Sequence, residues 1–395
     1  MSKSMAAVLV AAMLFALSAC VVTPLTPTPT PTPEYHILPY PGPEDAPSVR
    51  GIPTTLDPAR TIRRLYFPLL ASQRTPSILG WEAASDWQAL TNRAAILALS
   101  PGTVRTGIPW KDVEPVRGAG YVWSASKDAH INMLARGDNR IIGILNWPPQ
   151  WALVSPGCSP VAPGYYADWL GYVRATVKRY GDRVAVWEII NEPDAPISPA
   201  DKGWGCWGDV WSPDQGGTEY GRFVAMTAKA IRTIQPNATI LSGGLLLGCN
   251  VSGDVGGCTG ASLAFLRAAL PEMDGDIDGV GFHSYTYWPG TMPTATALMD
   301  AKVAALRKLT TLPLWNTEGG YLCYSATDPA ICQSTAYEDA QAEYVRLWAA
   351  SCRRLGLGSC VWYSLTANGW RAADLSDMDG TKRAGYWALA AALRE

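Results

Sequence analysis

Histidine is scarce in this sequence. Only three occur among its 395 residues, namely His36, His130 and His283. Protein zinc sites are built largely from histidine and cysteine ligands, so a histidine-rich metal centre is not expected. The segment Asp374–Gly380 carries the aspartates of a calcium loop but lacks the closing glutamate at the required offset, and is interpreted as a turn. No metal or other cofactor is predicted.

Clusters of basic residues are also missing. The sequence has 32 Lys and Arg against 34 Asp and Glu, a net charge of -2. Proteins that bind nucleic acid or anionic membrane surfaces usually carry a basic patch or run. Neither partner is therefore expected, and the protein is predicted to be a monomer.

Phenylalanine is rare, with 5 residues, whereas tryptophan and tyrosine occur 17 times each. Both side chains combine a flat apolar face with a polar edge. That combination suits sugars, which are apolar on one face and hydroxylated at the rim. The alternative is that many of these aromatic residues simply form the core.

The first 60 residues contain targeting and linker signals. Met5–Leu17 is an apolar run, too short to span a bilayer, that follows Lys3, so residues 1–20 are predicted to be a signal peptide. Leu17–Cys20 resembles a bacterial lipobox, which would make a lipid on Cys20 the only membrane attachment. Ordinary cleavage beside an incidental Cys20 is the alternative. Residues 21–60 form a Thr/Pro-rich linker and lead-in, expected to be extended.

The cysteine count supports export. Without Cys20, eight of the 9 cysteines remain, and an even number in an exported protein suggests disulfides. Proximity in sequence favours three pairs and leaves a fourth: Cys249–Cys258, Cys323–Cys332, Cys352–Cys360, and then Cys158–Cys206.

Residues 61–395 alternate eight times between an apolar, strand-like run and an amphipathic helix. The predicted strands are Arg64–Ala71, Thr103–Trp110, Arg140–Trp151, Val184–Pro193, Ala238–Leu247, Ile277–Trp288, Leu312–Tyr321 and Ser359–Leu365. This pattern predicts an α/β fold, a (β/α)8 TIM barrel, as a single catalytic domain. A doubly wound open sheet is the alternative, but no glycine-rich phosphate loop follows the first predicted strand.

In such barrels the active site lies at the C-terminal ends of the strands. The polar and aromatic candidates there are Arg105, Asn146, Trp147, Asn191, Glu192, His283, Tyr285, Glu318 and Trp362. Glu188 lies four residues before Glu192, which in a continuous strand places it about 13 Å below the site. Glu188 is therefore interpreted as a structural charge of the barrel interior, with Arg105 as one possible partner.

Several of these segments resemble the clan A glycoside hydrolases, especially families 5 and 39. The resemblance rests on Asn191-Glu192-Pro193 after strand four and on five further segments: Trp315–Tyr321, Gly281–Tyr285, Val361–Leu365, Arg105–Pro115 and Asp374–Leu389. It implies that Glu192 is the acid/base and Glu318 the nucleophile of a retaining mechanism.

The resemblance also implies roles for the neighbours of the two acids. Asn191 would hydrogen-bond the sugar 2-hydroxyl, His283 would line the site, and Trp362 would stack beneath the sugar. Glu318 must stay ionised, and Arg105 and the Tyr285 hydroxyl are the natural groups to favour its charged form.

Each residue also has a structural interpretation: a helix cap for Glu192, a turn residue for Glu318, a core imidazole for His283, a Glu188 partner for Arg105, and barrel packing for Trp362.

The long segment after strand four, from Asp194 to about Gly217, carries several tryptophans. Together with others at neighbouring strand ends they could form a platform for sugars beyond the cleavage point: Trp204, Trp207, Trp211, Trp147, Trp151, Trp288 and Trp370. The sequence therefore predicts a retaining glycoside hydrolase that acts on a poly- or oligosaccharide outside the cell. The alternative is a non-catalytic carbohydrate-binding lipoprotein on a degenerate barrel. An esterase is disfavoured because no GxSxG elbow is present.

Overall fold

The computed structural model describes residues 75–395 except 84, 201–204, 209–211, 248–259, 289–295, 324–327, 367–372 and 378. The predicted signal peptide, the linker, the predicted strand Arg64–Ala71 and the predicted Cys249–Cys258 pair lie outside these residues.

Eight parallel strands form one sheet in the order β5-β4-β3-β2-β1-β8-β7-β6. They are β1 (Leu79–Glu82), β2 (Thr103–Pro109), β3 (Arg140–Asn146), β4 (Val186–Ile189), β5 (Thr239–Ser242), β6 (Val280–Trp288), β7 (Leu314–Cys323) and β8 (Cys360–Tyr363). Isolated parallel bridges, Leu241 to Gly279 and Leu245 to Phe282, join β5 to β6. These bridges connect the two ends of the sheet, and the (β/α)8 barrel is thereby confirmed.

Helices follow the strands along the chain. They are α1 (Asp86–Thr91), α2 (Arg93–Leu97), α3 (Trp110–Val113), α4 (Ala125–Arg136), α5 (Tyr166–Tyr180), α6 (Pro213–Arg232), α7 (Gly260–Glu272), α8 (Ala297–Leu306), α9 (Thr335–Arg354) and α10 (Ala384–Ala392). Four of them begin after a serine whose side chain accepts a backbone N–H of the first turn: Ser85, Ser124, Ser212 and Ser334. Such caps satisfy helix donors that have no partner within the helix.

The first strand of the barrel differs from the prediction. β1 pairs with β2 and β8, and it is Leu79–Glu82, not Arg64–Ala71. It contains Gly80, where an added Cβ would lie 1.5 Å from the Thr103 carbonyl oxygen. A four-residue strand containing glycine has low intrinsic strand propensity, so the apolar run before it was the stronger signal.

A cluster of apolar side chains lies inside the barrel. Ile142, Val186, Leu241, Trp315 and Val361 form a separate buried cluster. Because they come from five different strands, they can meet only inside the barrel. A larger core lies between the strands and the helices.

Three predicted disulfides are confirmed. Cys158–Cys206, Cys323–Cys332 and Cys352–Cys360 are bonded. Among the helices in the described ranges, none combines the length and the apolar character needed to cross a membrane.

Candidate active site

The predicted polar residues meet at the C-terminal ends of the strands, with Arg105 at the centre. This arginine is 2% exposed, and its guanidinium touches three carboxylates. It donates from Nε to Glu188 (2.8 Å) and from Nη1 to Glu82 (2.8 Å) and Glu318 (2.5 Å). Burial opposes its charge, but Glu188, Glu82 and Glu318 outweigh that cost and raise the pKa of Arg105. Arg105 thus serves both as the partner of Glu188 and as a cation beside Glu318.

Glu318 is held by two donors. In addition to Arg105, the Tyr285 hydroxyl donates to its Oε2 at 2.5 Å. Burial raises the pKa of Tyr285 well above its usual value, and the Glu318 charge adds to the effect, so this hydroxyl keeps its proton. Each oxygen of Glu318 therefore accepts a hydrogen bond from a side-chain donor.

An irregularity in β7 presents Glu318 to the site. The ladders of β7 with β6 and β8 both shift between Asn316 and Gly319. The Asn316 amide fills the gap: its Nδ2 donates to the carbonyls of Phe282 (3.1 Å) and Glu318 (2.8 Å). The Trp348 indole donates to its Oδ1 at 3.2 Å. The buried Asn316 side chain therefore stabilises the backbone that carries Glu318.

Glu192 has a different environment. It is 5% exposed, and its Oε1 lies 2.8 Å from Nδ1 of His283. Burial raises the pKa of Glu192 well above its usual range, and the charges of Glu318 and Asp194 raise it further. Glu192 is therefore the member of the pair that keeps a proton near neutral pH.

His283 is neutral in this setting. Burial lowers its pKa well below the ordinary value, and Arg105 and Lys302 add to the effect. Its Nε2 has no hydrogen-bond partner within the described part of the chain, which favours the tautomer with the proton on Nδ1. Nδ1 then donates to Oε1 of Glu192.

The two acids face each other. His283 and Glu318 are directly paired in the β6–β7 ladder, and the His283 Nδ1 is also 3.4 Å from Glu318 Oε2. One oxygen each of Glu192 and Glu318 and a ring nitrogen of His283 all lie within 4.8 Å of one another. Within the described ranges these three side chains form a set that could hold a metal ion, although the Arg105 guanidinium already places a positive charge against Glu318.

Glu188 lies closer to the site than a continuous strand would place it. Its Oε1 accepts the Gly244 N–H, while the Glu192 N–H donates to the Gly244 carbonyl. The Glu188 carboxylate and the Glu192 backbone N–H therefore both contact Gly244. The predicted separation of about 13 Å assumed extended backbone, but β4 ends at Ile189 and Ile190 and Glu192 have positive φ. The interior role of Glu188 and its pairing with Arg105 are confirmed.

Asn191, Asn146 and Trp147 also lie at strand ends. Asn191 Oδ1 accepts Arg105 Nη2 at 2.7 Å; because a guanidinium only donates, this contact assigns the amide oxygen. Asn146 is fully buried as the last residue of β3. The Trp147 ring lies against Gly107, where an added Cβ would be 2.5 Å from it.

The prediction for Trp362 is not supported. This ring has 0% exposure and packs against Tyr344 and Trp348 of α9, while its indole N–H donates to the Ala373 carbonyl. The interpretation as barrel packing applies instead. Val361 belongs to the interior cluster, so strand alternation puts Trp362 outside and Tyr363 inside. Tyr363, which is half-buried, is the aromatic residue on the site's side.

Of the tryptophans proposed as a platform, Trp207 is buried, whereas Trp147, Trp151 and Trp288 are half-buried. Trp207 is 1% exposed and packs on Tyr220 and Phe223. Trp151 packs edge-on against Trp110 and Tyr165. Trp288 is half-buried and contacts Tyr337. Trp204, Trp211 and Trp370 lie outside the described residues.

Three titratable residues of this region were missed. Glu82 ends β1, and its role was hidden by the wrong first strand. Lys302 on α8 donates to the carbonyls of Leu246 and His283, and a buried lysine on a helix gives no distinctive sequence signal. Asp194 accepts the N–H groups of Leu246 and Leu247; its place two residues after Glu192 was the available signal.

No protein-family model matches the sequence, and a search of curated proteins finds no match. Solved structures do share the fold. A family 39 glycoside hydrolase from Bacteroides cellulosilyticus WH2 is 19% identical, with a TM-score of 0.56, over 81% of this chain and 64% of its own. The exo-β-1,4-mannosidase Op5Man5 from Opitutaceae bacterium strain TAV5 is 18% identical, with a TM-score of 0.58, over 80% and 59%.

A family 10 protein from Paenibacillus barcinonensis is 18% identical, with a TM-score of 0.57, over 80% of this chain and 94% of its own. The chain spans less than two thirds of the length of the family 39 glycoside hydrolase and of Op5Man5. At these identities the likeness shows the fold, a (β/α)8 barrel of the kind found in these glycoside hydrolases.

Proposed function

We propose that this protein is a retaining glycoside hydrolase that cleaves O-glycosidic bonds of poly- or oligosaccharides. The observation that carries the proposal is the pair formed by Glu192 and Glu318, whose nearest oxygens lie within 4.8 Å. Retaining enzymes separate their two carboxyl groups by about 5 to 5.5 Å, whereas inverting enzymes need about 6.5 to 9.5 Å to admit a water molecule. The spacing supports double displacement.

In this mechanism Glu318 attacks the anomeric carbon. The Arg105 and Tyr285 donors hold its two oxygens in place. As the glycosyl ester forms, the leaving oxygen takes a proton from Glu192, whose raised pKa keeps that proton available near neutral pH. Glu192 then removes a proton from the incoming water, and the ester is hydrolysed with retention.

The neutral His283 directs the acid proton. With Nδ1–H donating to Oε1 of Glu192, the acid's proton sits on Oε2, the oxygen available to the leaving group. Asn191 contributes on the other side of the sugar: since its oxygen accepts from Arg105, its amide N–H groups are the donors that would meet the 2-hydroxyl. Such a contact strengthens in the transition state.

We also propose that the enzyme acts outside the cytoplasm, with residues 1–20 as a lipoprotein signal peptide, Cys20 as the anchor, 21–60 as the linker and 61–395 as the catalytic domain. The three disulfides support an oxidising compartment.

The test begins with a screen of aryl glycosides and polysaccharides. Mannosides and xylosides are included because the structural neighbours are named as a mannosidase and as xylanases. NMR of the first-formed product then gives its anomeric configuration. Retention is expected; an inverted first product would contradict the mechanism.

Glu318→Gln supplies the decisive variant. It keeps the shape of the side chain but removes the nucleophile, so hydrolysis of an activated aryl glycoside is expected to fall by a factor of about 10⁴ or more while sugar binding persists. Glu343→Gln, an exposed change on α9, is the matched control. Undiminished activity of Glu318→Gln would refute the assignment, and sugar binding without hydrolysis by the wild type would favour the non-catalytic alternative.

A further inference from the structure

The turn that carries Glu192 has an unfavourable backbone. Ile190 has φ 65° and Glu192 has φ 44°, both in the left-handed region. For a β-branched residue such as isoleucine this conformation is a genuine outlier. Conformations of this kind persist only where the surrounding structure holds them in place.

Neighbouring strands supply part of that support. The Ile190 N–H donates to the Leu145 carbonyl at 2.9 Å, and the Glu192 N–H donates to the Gly244 carbonyl at 3.0 Å. The carbonyl groups of Glu192 and Pro193 accept from the loop that follows β4.

The Ala195 N–H donates to the Glu192 carbonyl at 3.1 Å, and the returning part of that loop adds to this support. The Gly205 N–H donates to the Glu192 carbonyl at 3.3 Å, and the Trp207 N–H donates to the Pro193 carbonyl at 2.8 Å. Contact is close enough to require glycine, because a Cβ on Gly205 would lie 2.1 Å from Cγ2 of Ile190. Residues 205–207 therefore form a brace against the turn, and we call them the brace.

A disulfide anchors the brace at its middle residue. Cys206 is fully buried and has φ 58°, and it is bonded to Cys158 in the loop after β3. Cys158 also exchanges backbone hydrogen bonds with Ser198, at 2.7 and 3.0 Å. The bond thus ties the brace to a second strand-end loop.

We propose that the Cys158–Cys206 disulfide positions the acid/base: it holds the brace against the turn and so keeps the Glu192 carboxyl aimed at the leaving oxygen. The catalytic part of this inference rests on the proposed function.

Substrates with different leaving groups distinguish a misplaced acid/base from other defects. Protonation by Glu192 matters most when the leaving group is basic and hardly at all when it is a strongly acidic phenol. A misplaced acid therefore lowers kcat/KM for a poor leaving group and spares an activated one. Loss of the nucleophile or general unfolding would lower both.

The kinetic experiment compares two double variants well below their melting temperatures. Cys158→Ala/Cys206→Ala removes the proposed positioning bond. Cys352→Ala/Cys360→Ala is the matched control, because Cys360 is the first residue of β8 and so lies at the end of the barrel opposite the site. Each is assayed on the phenyl and 2,4-dinitrophenyl glycosides of the sugar that the wild type hydrolyses fastest.

For Cys158→Ala/Cys206→Ala, kcat/KM is expected to fall by about tenfold or more on the phenyl glycoside and by less than about threefold on the 2,4-dinitrophenyl glycoside. The control is expected to keep the wild-type ratio between the two substrates. An unchanged ratio in the first variant would overturn the inference.

Amide hydrogen exchange tests the brace without relying on activity. The amides of Glu192, Gly205 and Trp207 are expected to exchange faster in Cys158→Ala/Cys206→Ala than in the wild type, and at wild-type rates in the control. Equal rates in all three proteins would refute the positioning role. Faster exchange in a protein whose wild type cleaves no glycoside would support the brace and refute the proposed function instead.

Discussion

Three carboxylates share one buried cation at the base of the candidate site. Arg105 contacts Glu82, Glu188 and Glu318, so the cluster would carry excess negative charge if all three were ionised. Buried groups in that position resolve the excess by binding a proton. Burial is the main cause that raises the pKa of Glu82 to about 7, with Arg105 opposing it and the charges of Glu318 and Glu188 adding to it. This raised pKa favours the protonated form of Glu82.

Glu82→Gln tests this assignment through the pH dependence of stability. The pKa of Glu82 is about 7 in the folded chain against an ordinary 4.5, so between these pH values the folded state holds a proton that the unfolded state has released. The free energy of unfolding therefore falls as pH rises from 4.5 to about 7, by roughly 3 kcal/mol from this one group. Glutamine does not titrate but still accepts from Arg105.

Urea unfolding at pH 5 and pH 8 measures the effect. The loss of stability between the two is expected to be smaller in Glu82→Gln than in the wild type by up to about 3 kcal/mol. Glu192 titrates in both proteins, so its contribution to the pH dependence of stability cancels in the comparison. An identical loss in the two proteins would show that Glu82 is already ionised at low pH.

Residue identities at the site were largely predictable. Polar side chains at strand C-termini are rare in apolar runs, and the sequence singled out Glu192, Glu318, Arg105, His283 and Tyr285, all of which meet in the structure. The error at Trp362 has a simple cause. Alternation decides which face a strand residue occupies, and a shift of one position exchanges Trp362 for Tyr363.

At the scale of elements, isolated bridges rather than a continuous ladder join β5 to β6. Two isolated bridges join these strands, and Lys302 spans them from α8. Its ammonium donates to the Leu246 carbonyl after β5 (2.7 Å) and to the His283 carbonyl on β6 (2.8 Å). Burial lowers the pKa of Lys302 to about 8, so it remains largely charged at neutral pH. It links the two ends of the sheet beside the backbone hydrogen bonds that join β5 to β6.

Lys302→Met removes this link and keeps most of the side-chain volume. Two buried carbonyls lose a charged donor, which destabilises the fold. Because the variant no longer buries an ammonium, part of this loss is offset, and the free energy of unfolding is expected to fall by about 2 kcal/mol. Urea denaturation measures the change. Lys229→Met on α6, an exposed lysine, is the control and is expected to alter stability by less than about 0.5 kcal/mol. Equal effects would mean that the junction of β5 and β6 does not need Lys302.

Elements were predicted well where hydrophobic periodicity was strong and poorly where packing decides. Seven of the predicted strands contain an observed strand or overlap one, because buried parallel strands leave continuous apolar runs. β1 was missed since its four residues LGWE are specified by close approach to Thr103 rather than by propensity. The left-handed residues after β4 were equally hidden, because tertiary contacts impose them on isoleucine and glutamate against their preference.

For the whole molecule, we propose that a lipid on Cys20 holds the chain at the cell membrane. The net charge of -2 offers no attraction to anionic lipids, so a lipid on Cys20 would have to provide the attachment. Each buried methylene of an acyl chain contributes about 0.8 kcal/mol, and two chains suffice for stable anchoring.

Cys20→Ala removes the acceptor of the lipid and leaves the barrel untouched. Wild-type protein expressed in a bacterium is expected to incorporate radiolabelled palmitate and to stay with membranes through a high-salt wash until detergent is added. Cys20→Ala is expected to carry no label, and any mature form of it to be soluble. Because the change lies outside the candidate site, the hydrolytic activity of purified Cys20→Ala should equal that of the wild type. Membrane attachment that survives in unlabelled Cys20→Ala would mean that another part of the chain is the anchor.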